Sequence, residues 1–171
     1  MSTLTGEVVN RVAASPILTL NLEEMRDPRA LVLLDISPQL FQGLILREKD
    51  FRQFVDEHDW TQYQGQHLAV FCTADAVIPT WAYMLVAVAA QPHAASVRFA
   101  TPAEAETQIF LDQLAKINWA SYQDKLIVLK GCGSVPIAAY VAASAALRPY
   151  ARKLMFGEPC SQVPIYKAPK G

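Results

Sequence analysis

A chain of 171 residues can bury one sizeable core, and at 52% hydrophobic and 18% charged it is too apolar to stay disordered. Its 15 basic and 16 acidic residues leave a net charge of −1, which removes the electrostatic basis for nucleic acid or an anionic membrane as partner. The N-terminus lacks a basic stretch ahead of an apolar core, and the longest apolar run, 84–90, falls far short of the ~20 residues a spanning helix needs. Three cysteines disfavour a secreted disulfide framework, so the expectation is a cytoplasmic protein.

In chain order, 6–14 suits a short helix, and 17–20 and 31–36 read as strands. Residues 44–46 (Leu-Ile-Leu) form a third apolar run. Over 49–57, Phe51, Phe54 and Val55 recur at helical spacing with charges on the other face, so a helix is expected there. The cluster Arg47, Glu48, Lys49, Asp50 and Arg52 reads as a solvated face held by i,i+3 and i,i+4 pairs, or as a partner surface. Nothing up to residue 58 resembles a linker.

From Trp60 onward the chain matches itself. Trp60, Tyr63 and Gln64 fall over Trp119, Tyr122 and Gln123, and an apolar run follows in each copy, 67–71 and 126–129. After a loop two residues shorter in the second copy, Pro79, Tyr83, Pro92, Phe99 and Pro102 fall over Pro136, Tyr140, Pro149, Phe156 and Pro159. The apolar runs have the character of buried strands. Pro79 and Pro136 suit helix starts, where an N–H is not needed, and Pro92 and Pro149 suit helix stops near Ala90 and Leu147. Second strands are expected over 96–99 and 153–156, giving two βαβ units with right-handed crossovers. Between them, 102–116 carries Ile109, Phe110 and Leu114, as an amphipathic helix does. The expected fold is thus a single α/β domain with a duplicated βαβ unit and a mostly parallel sheet. It comprises an N-terminal segment over 1–58, repeat one over 59–117, and repeat two with the C-terminal tail over 118–171.

Each cysteine follows an expected strand: Cys72, then Cys132 in Gly131-Cys132-Gly133-Ser134, then Cys160. If those strands are parallel, the three thiols lie beyond carboxyl ends on one edge of the sheet, where open α/β sheets place ligands. Asp75 adds an oxygen ligand. Zinc or an iron–sulfur species suits thiolate ligands, so Cys72, Cys132, Cys160 and Asp75 are the candidate metal site. A redox or sulfur-handling role for Cys132 alone is a further reading, since a helix N-terminus lowers a thiol pKa. Against both stands the ordinary behaviour of free cysteine as a small buried hydrophobe, with no C-x-x-C pair to enforce chelation.

The loop 131–134 suits an anion or a plain tight turn and does not match a P-loop. Of the histidines, His58 sits in a polar stretch typical of a solvated helix end, and no serine with a histidine and an acid partner stands out. The helix bearing Trp81 and Tyr83 is apolar nearly all round, and the second-copy helix is rich in alanine. Both features suit burial or a homodimer interface.

The segments 46–52 (LREKDFR), 78–83 (IPTWAY), Lys130-Gly131-Cys132, 155–161 (MFGEPCS) and 163–167 (VPIYK) resemble a bacterial family catalogued as domain of unknown function 2480. The resemblance runs from 7–11 (EVVNR) to Lys167. It implies no activity for any residue. Genes of that family often neighbour SUF-type iron–sulfur assembly genes, which implies iron–sulfur assembly proteins as partners.

Two functions follow as expectations. The first is an accessory protein binding a metal, iron–sulfur or sulfur species through its cysteines. The second is a non-catalytic, dimeric interaction module whose cysteines are structural.

Overall fold

The computed structural model describes residues 17–158 and 160–169; the helix expected over 6–14 lies outside them, as does Pro159. The elements are β1 (Ile17–Asn21), β2 (Leu31–Asp35), α1 (Glu48–Glu57), β3 (His67–Phe71), α2 (Thr80–Ala90), β4 (Ser96–Phe99), α3 (Pro102–Leu114), β5 (Leu126–Lys130), α4 (Ile137–Leu147), β6 (Lys153–Glu158) and β7 (Ser161–Lys167). The class is α/β, with parallel and antiparallel pairing. Among the described residues no helix is long and apolar enough to cross a membrane.

The strands form two sheets where one was expected. One has the order β2-β3-β4, all parallel; the other has the order β1-β5-β6-β7, parallel except for the last pair. The cause lies in the central strands. Residues 67–70 of β3 and 127–129 of β5 are buried, so each strand needs hydrogen-bonding neighbours on both edges. A following βα segment supplies one neighbour to each, β4 and β6. The other comes from the N-terminal third: β2 pairs with β3 from Leu31 opposite His67, and β1 pairs with β5 from Ile17 opposite Leu126. Contacts accordingly divide the chain into two compact units, Asp27–Ile109 and the described residues up to Arg26 together with those from Phe110.

In the Asp27–Ile109 unit, α1 buries Phe51 against Phe54 and Trp81, with ring centroids 5.6 and 6.1 Å away. Its charged side faces solvent, and the Arg52–Glu48 pair at 2.9 Å, exposed on both sides, contributes only a few tenths of a kcal/mol. Helix α2 lays Ala82, Val86 and Ala90 on the core at i, i+4, i+8. In the other unit α4 does the same with Ala139, Ala143 and Leu147, over Ile127, Leu129 and Leu154. Pro79 and Pro136 sit at the N-cap of these helices, one residue before the first turn. Their carbonyls accept from Ala82 and Ala139 at 3.0 and 2.9 Å.

Two segments add to the expected elements. The apolar run over 44–46 belongs to a tight turn closed by Phe41 and Ile45, with Gln42 and Gly43 at positive φ, that leaves Leu44 and Ile45 exposed. Conversely, β7 was not foreseen. Its Val163 and Ile165 are exposed and Pro164 interrupts the run, so no burial alternation marks it. Pro164 is tolerated because β7 is the last strand of its sheet among the described residues, where a missing N–H breaks no ladder.

The β6–β7 return depends on Gly157. Its φ is +119°, and an added Cβ would stand 2.5 Å from the Ser161 carbonyl oxygen. Gly65 also has positive φ, but an added Cβ there meets nothing within 4 Å. Gly65→Ala is therefore expected to cost about 1–2 kcal/mol from conformation alone. Gly157→Ala should cost clearly more in urea unfolding and lower amide protection across 161–167.

Candidate functional site

Asx turns shape the carboxyl ends of both sheets. Asn21, the last residue of β1, accepts the Glu23 N–H through Oδ1 at 3.2 Å and turns the chain into a single 3₁₀ turn. Asp35, the last residue of β2, accepts the Ser37 N–H at 2.9 Å and the Ser37 hydroxyl at 2.8 Å. It also accepts the Thr73 N–H at 3.1 Å and the Thr73 hydroxyl at 2.6 Å, locking the loop after β3 to the loop after β2. Burial pushes the Asp35 carboxyl up, but the hydrogen bonds from Thr73 and Ser37 together outweigh it and hold the group at about 2.

The cysteines separate into the two units. Cys132 follows β5 and is exposed; its thiol donates to Glu23 Oε1 at 3.1 Å, and its sulfur lies 2.8 Å from Ser134 Oγ. The Tyr140 hydroxyl stands over this loop, and an added Cβ at Gly131 would lie 2.5 Å from it. Burial, with the nearby Cys132 and Glu23, raises the Tyr140 phenol above its usual value. Lys130 Nζ reaches Glu158 across the neighbouring strand ends at 3.4 Å.

Cys160 is exposed in the turn between β6 and β7, so it and Cys132 lie beyond the carboxyl ends of adjacent parallel strands. Cys72 follows β3 in the other sheet, half-buried, its thiol 3.8 Å from the Ala74 carbonyl oxygen. Asp75 is exposed in that same unit. The single edge expected for all three thiols is thus divided, because β3 and β5 are each the centre of their own sheet. Among the described residues no group of three or more His, Cys, Asp or Glu side chains is gathered that could hold a metal ion.

His58 is not a solvated helix end. It is half-buried, stacks on Tyr63 at 5.6 Å and 18°, and lies 2.8 Å from the Tyr63 hydroxyl; burial lowers its pKa.

A constellation missed in the sequence lies at the amino ends of the Asp27–Ile109 sheet. His67 opens β3 and Ser96 opens β4, directly opposite in register. His67 Nδ1 is 2.6 Å from Ser96 Oγ, and Nε2 is 3.3 Å from Asp27 Oδ2. Asp27 and His67 are 5% and 3% exposed. Arg29 grips the same carboxylate through Nε at 2.9 Å, its other guanidinium nitrogen at 2.6 Å and its backbone N–H at 3.0 Å. The Arg29 side-chain bonds, above all, hold Asp27 well below the carboxylate range. No sequence signal marks the trio: its members are 29 and 40 residues apart, and only strand pairing joins them.

A groove of about 470 Å³ lies between α2 and β4, lined by Ile78, Tyr83, Met84, Ala87, Val97 and Phe99. Tyr83 meets Phe99 edge-on at 4.7 Å.

Among protein families, residues 6–168 match the one described as "Protein of unknown function (DUF2480)". No curated protein and no solved structure matches the chain.

The buried polar groups fix a pH dependence. Burial holds the His67 imidazole below its ordinary value, with Arg29 and Arg98 acting in the same direction and Asp27 opposing. The unfolded chain therefore binds this proton more readily. The stabilisation is complete above about pH 6.5 and is lost as pH falls below it. His58 shifts the same way. Urea midpoints should fall between pH 7 and pH 5.5, and less steeply in His67→Gln. Asp35 has the opposite protonation range: its contribution is present above about 3.9 and disappears as pH falls toward 2. Asp35→Asn at pH 7 should cost about 1–3 kcal/mol in the same assay.

Proposed function

We propose that this chain, which belongs to the DUF2480 family, is a self-associating interaction protein built from a duplicated βαβ unit. The observation that carries the reading is the outward face of its two central helices. Met84 and Val88 on α2 are 61% and 75% exposed, and Ile137 and Val141 on α4 are 80% and 64% exposed. Each pair is spaced i, i+4 and forms an apolar stripe opposite the stripe that meets the core. Neither helix contains a charged residue. A second copy offers the same uncharged, apolar surface, so copies meet without burying a charge, and the alanines of α4 allow close approach.

Local geometry supports the duplication. The Trp60 indole N–H donates to the Val55 carbonyl and the Trp119 indole N–H to the Leu114 carbonyl, each five residues back. The ring pairs Trp60–Tyr63 and Trp119–Tyr122 lie at 5.9 and 6.0 Å, tilted 46° and 42°. Gly65 and Asp124 both take positive φ, and their N–H groups donate to the carbonyls of His93 and Tyr150, both at 2.9 Å.

A second reading rests on the exposed Cys132 and Cys160: uptake of zinc, an iron–sulfur species or sulfur, in company with iron–sulfur assembly proteins. Elemental analysis of anaerobically purified protein, with thiol titration, decides it. Bound metal lost in the Cys132→Ser, Cys160→Ser double variant supports it, and metal-free protein rejects it.

For the association reading, light scattering of the full chain at micromolar concentration should report a dimer. Met84→Glu and Val141→Glu change exposed positions, so they should leave the fold intact, and they should shift the mass toward monomer. A wild-type monomer at that concentration would overturn it.

A further inference from the structure

We propose that Ser96, His67 and Asp27 form a nucleophilic acyl-transfer site for small esters and thioesters, with Ser96 Oγ as the attacking atom. This goes beyond association and uses none of the residues on the helix stripes. The order acid, histidine, serine along the chain is one of several in which such constellations arise on unrelated folds.

The geometry meets the requirements in turn. The nucleophile lies within reach of its base: Ser96 Oγ is 2.6 Å from His67 Nδ1. An acid stands behind the base: Asp27 Oδ2 lies 3.3 Å from Nε2, an ion-pair distance without hydrogen-bond geometry that a bound substrate would have to tighten. The carboxylate on the Nε2 side favours the tautomer that carries its proton there, and in that tautomer Nδ1 accepts the serine proton. Asp27 is kept ionised and immobile by the Arg29 guanidinium. Acid and base are almost completely buried while Ser96 is partly exposed, so the serine is the member of the trio nearest solvent and the pair behind it is shielded from water. Neutral His67 is the form burial favours, and it is the form a general base needs.

An oxyanion donor is also at hand. The Ala95 N–H donates to the Gln66 carbonyl, on the β3 side, at 2.8 Å. Alternation along a strand turns the Ser96 N–H away from β3, and β4 is the last strand of its sheet among the described residues. A carbonyl oxygen under attack by Ser96 Oγ can therefore receive the serine's own amide.

The reaction balances with water as the only co-reactant. Ser96 Oγ forms a bond to the acyl carbon while its proton passes to His67 Nδ1. The bond from that carbon to the alkoxide or thiolate breaks, and the leaving group takes the proton from His67. Water then attacks the acyl-serine, His67 accepts its proton and returns it to Ser96 Oγ, and the carboxylic acid leaves. Ser96 is the nucleophile, His67 the base, and Asp27 a positioning residue that acts through His67.

The test is labelling of the full chain by an alkyl fluorophosphonate, read by peptide mass spectrometry, with the hydrolysis rate of p-nitrophenyl acetate alongside. The proposal expects a phosphonyl group on Ser96 and none in Ser96→Ala, a partly exposed position where the fold should persist. Labelling should slow at least 100-fold in Asp27→Asn. In the wild type it should rise with pH as His67 loses its proton, with the rise lying below the ordinary imidazole value of about 6.5. If Asp27→Asn does not fold, the wild-type pH profile takes its place. Folded wild type left unlabelled at Ser96, or labelled at a rate independent of pH, would overturn the proposal and leave the trio a strand latch.

Discussion

A strand buried on both faces must satisfy its peptide groups on both edges, and β3 and β5 impose this requirement on the rest of the chain. A parallel neighbour cannot be reached by a tight turn, so each central strand is followed by a helix that returns the chain to the starting end. That accounts for α2 before β4 and α4 before β6. The remaining edges are filled from the first 35 residues, β1 going to β5 and β2 to β3. The chain's first two strands therefore serve different sheets, and the two units are interleaved in sequence.

The same pairing decides which polar groups meet. Registering Asp35 with Phe71 brings Asp35 to the loop that follows β3, where the Thr73 amide and hydroxyl complete its hydrogen bonds. Registering Asn21 with Lys130 brings the 3₁₀ turn of Glu23 to the loop that follows β5, and there the partner is the Cys132 thiol. The two loops are alike in construction and differ in chemistry. A carboxylate with four donors is a structural lock, whereas an exposed thiol beside a carboxylate and a hydroxyl is open to solvent and reagents. At the other end of the Asp27–Ile109 sheet, His67 and Ser96 are brought together by the same ladder.

The central helices show what periodicity can and cannot say. Because α2 and α4 are apolar nearly all round, their sequences do not reveal which stripe faces the core. The packing selects Ala82, Val86 and Ala90, and Ala139, Ala143 and Leu147, and the alanines in each stripe let the helix lie close to its sheet. Met84, Val88, Ile137 and Val141 are left outside. Each helix thus presents one apolar stripe to the core and a second, uncharged apolar stripe to solvent.

The sequence by itself determined the α/β class, most element positions and the prolines that begin α2 and α4, because these depend on local apolar runs and on the missing N–H of proline. It also marked the side chains of greatest chemical interest, the cysteines, by type alone. Only the tertiary structure decided that Cys72 belongs to one sheet and Cys132 and Cys160 to another, since strand order is a matter of long-range pairing. It alone revealed β7, whose Pro164 and exposed Val163 and Ile165 give no alternation of burial to read. The Asp27–His67–Ser96 trio was equally hidden. Its residues have no common spacing, and what unites them is the register of parallel strands, a property of hydrogen bonds between segments that no single segment encodes.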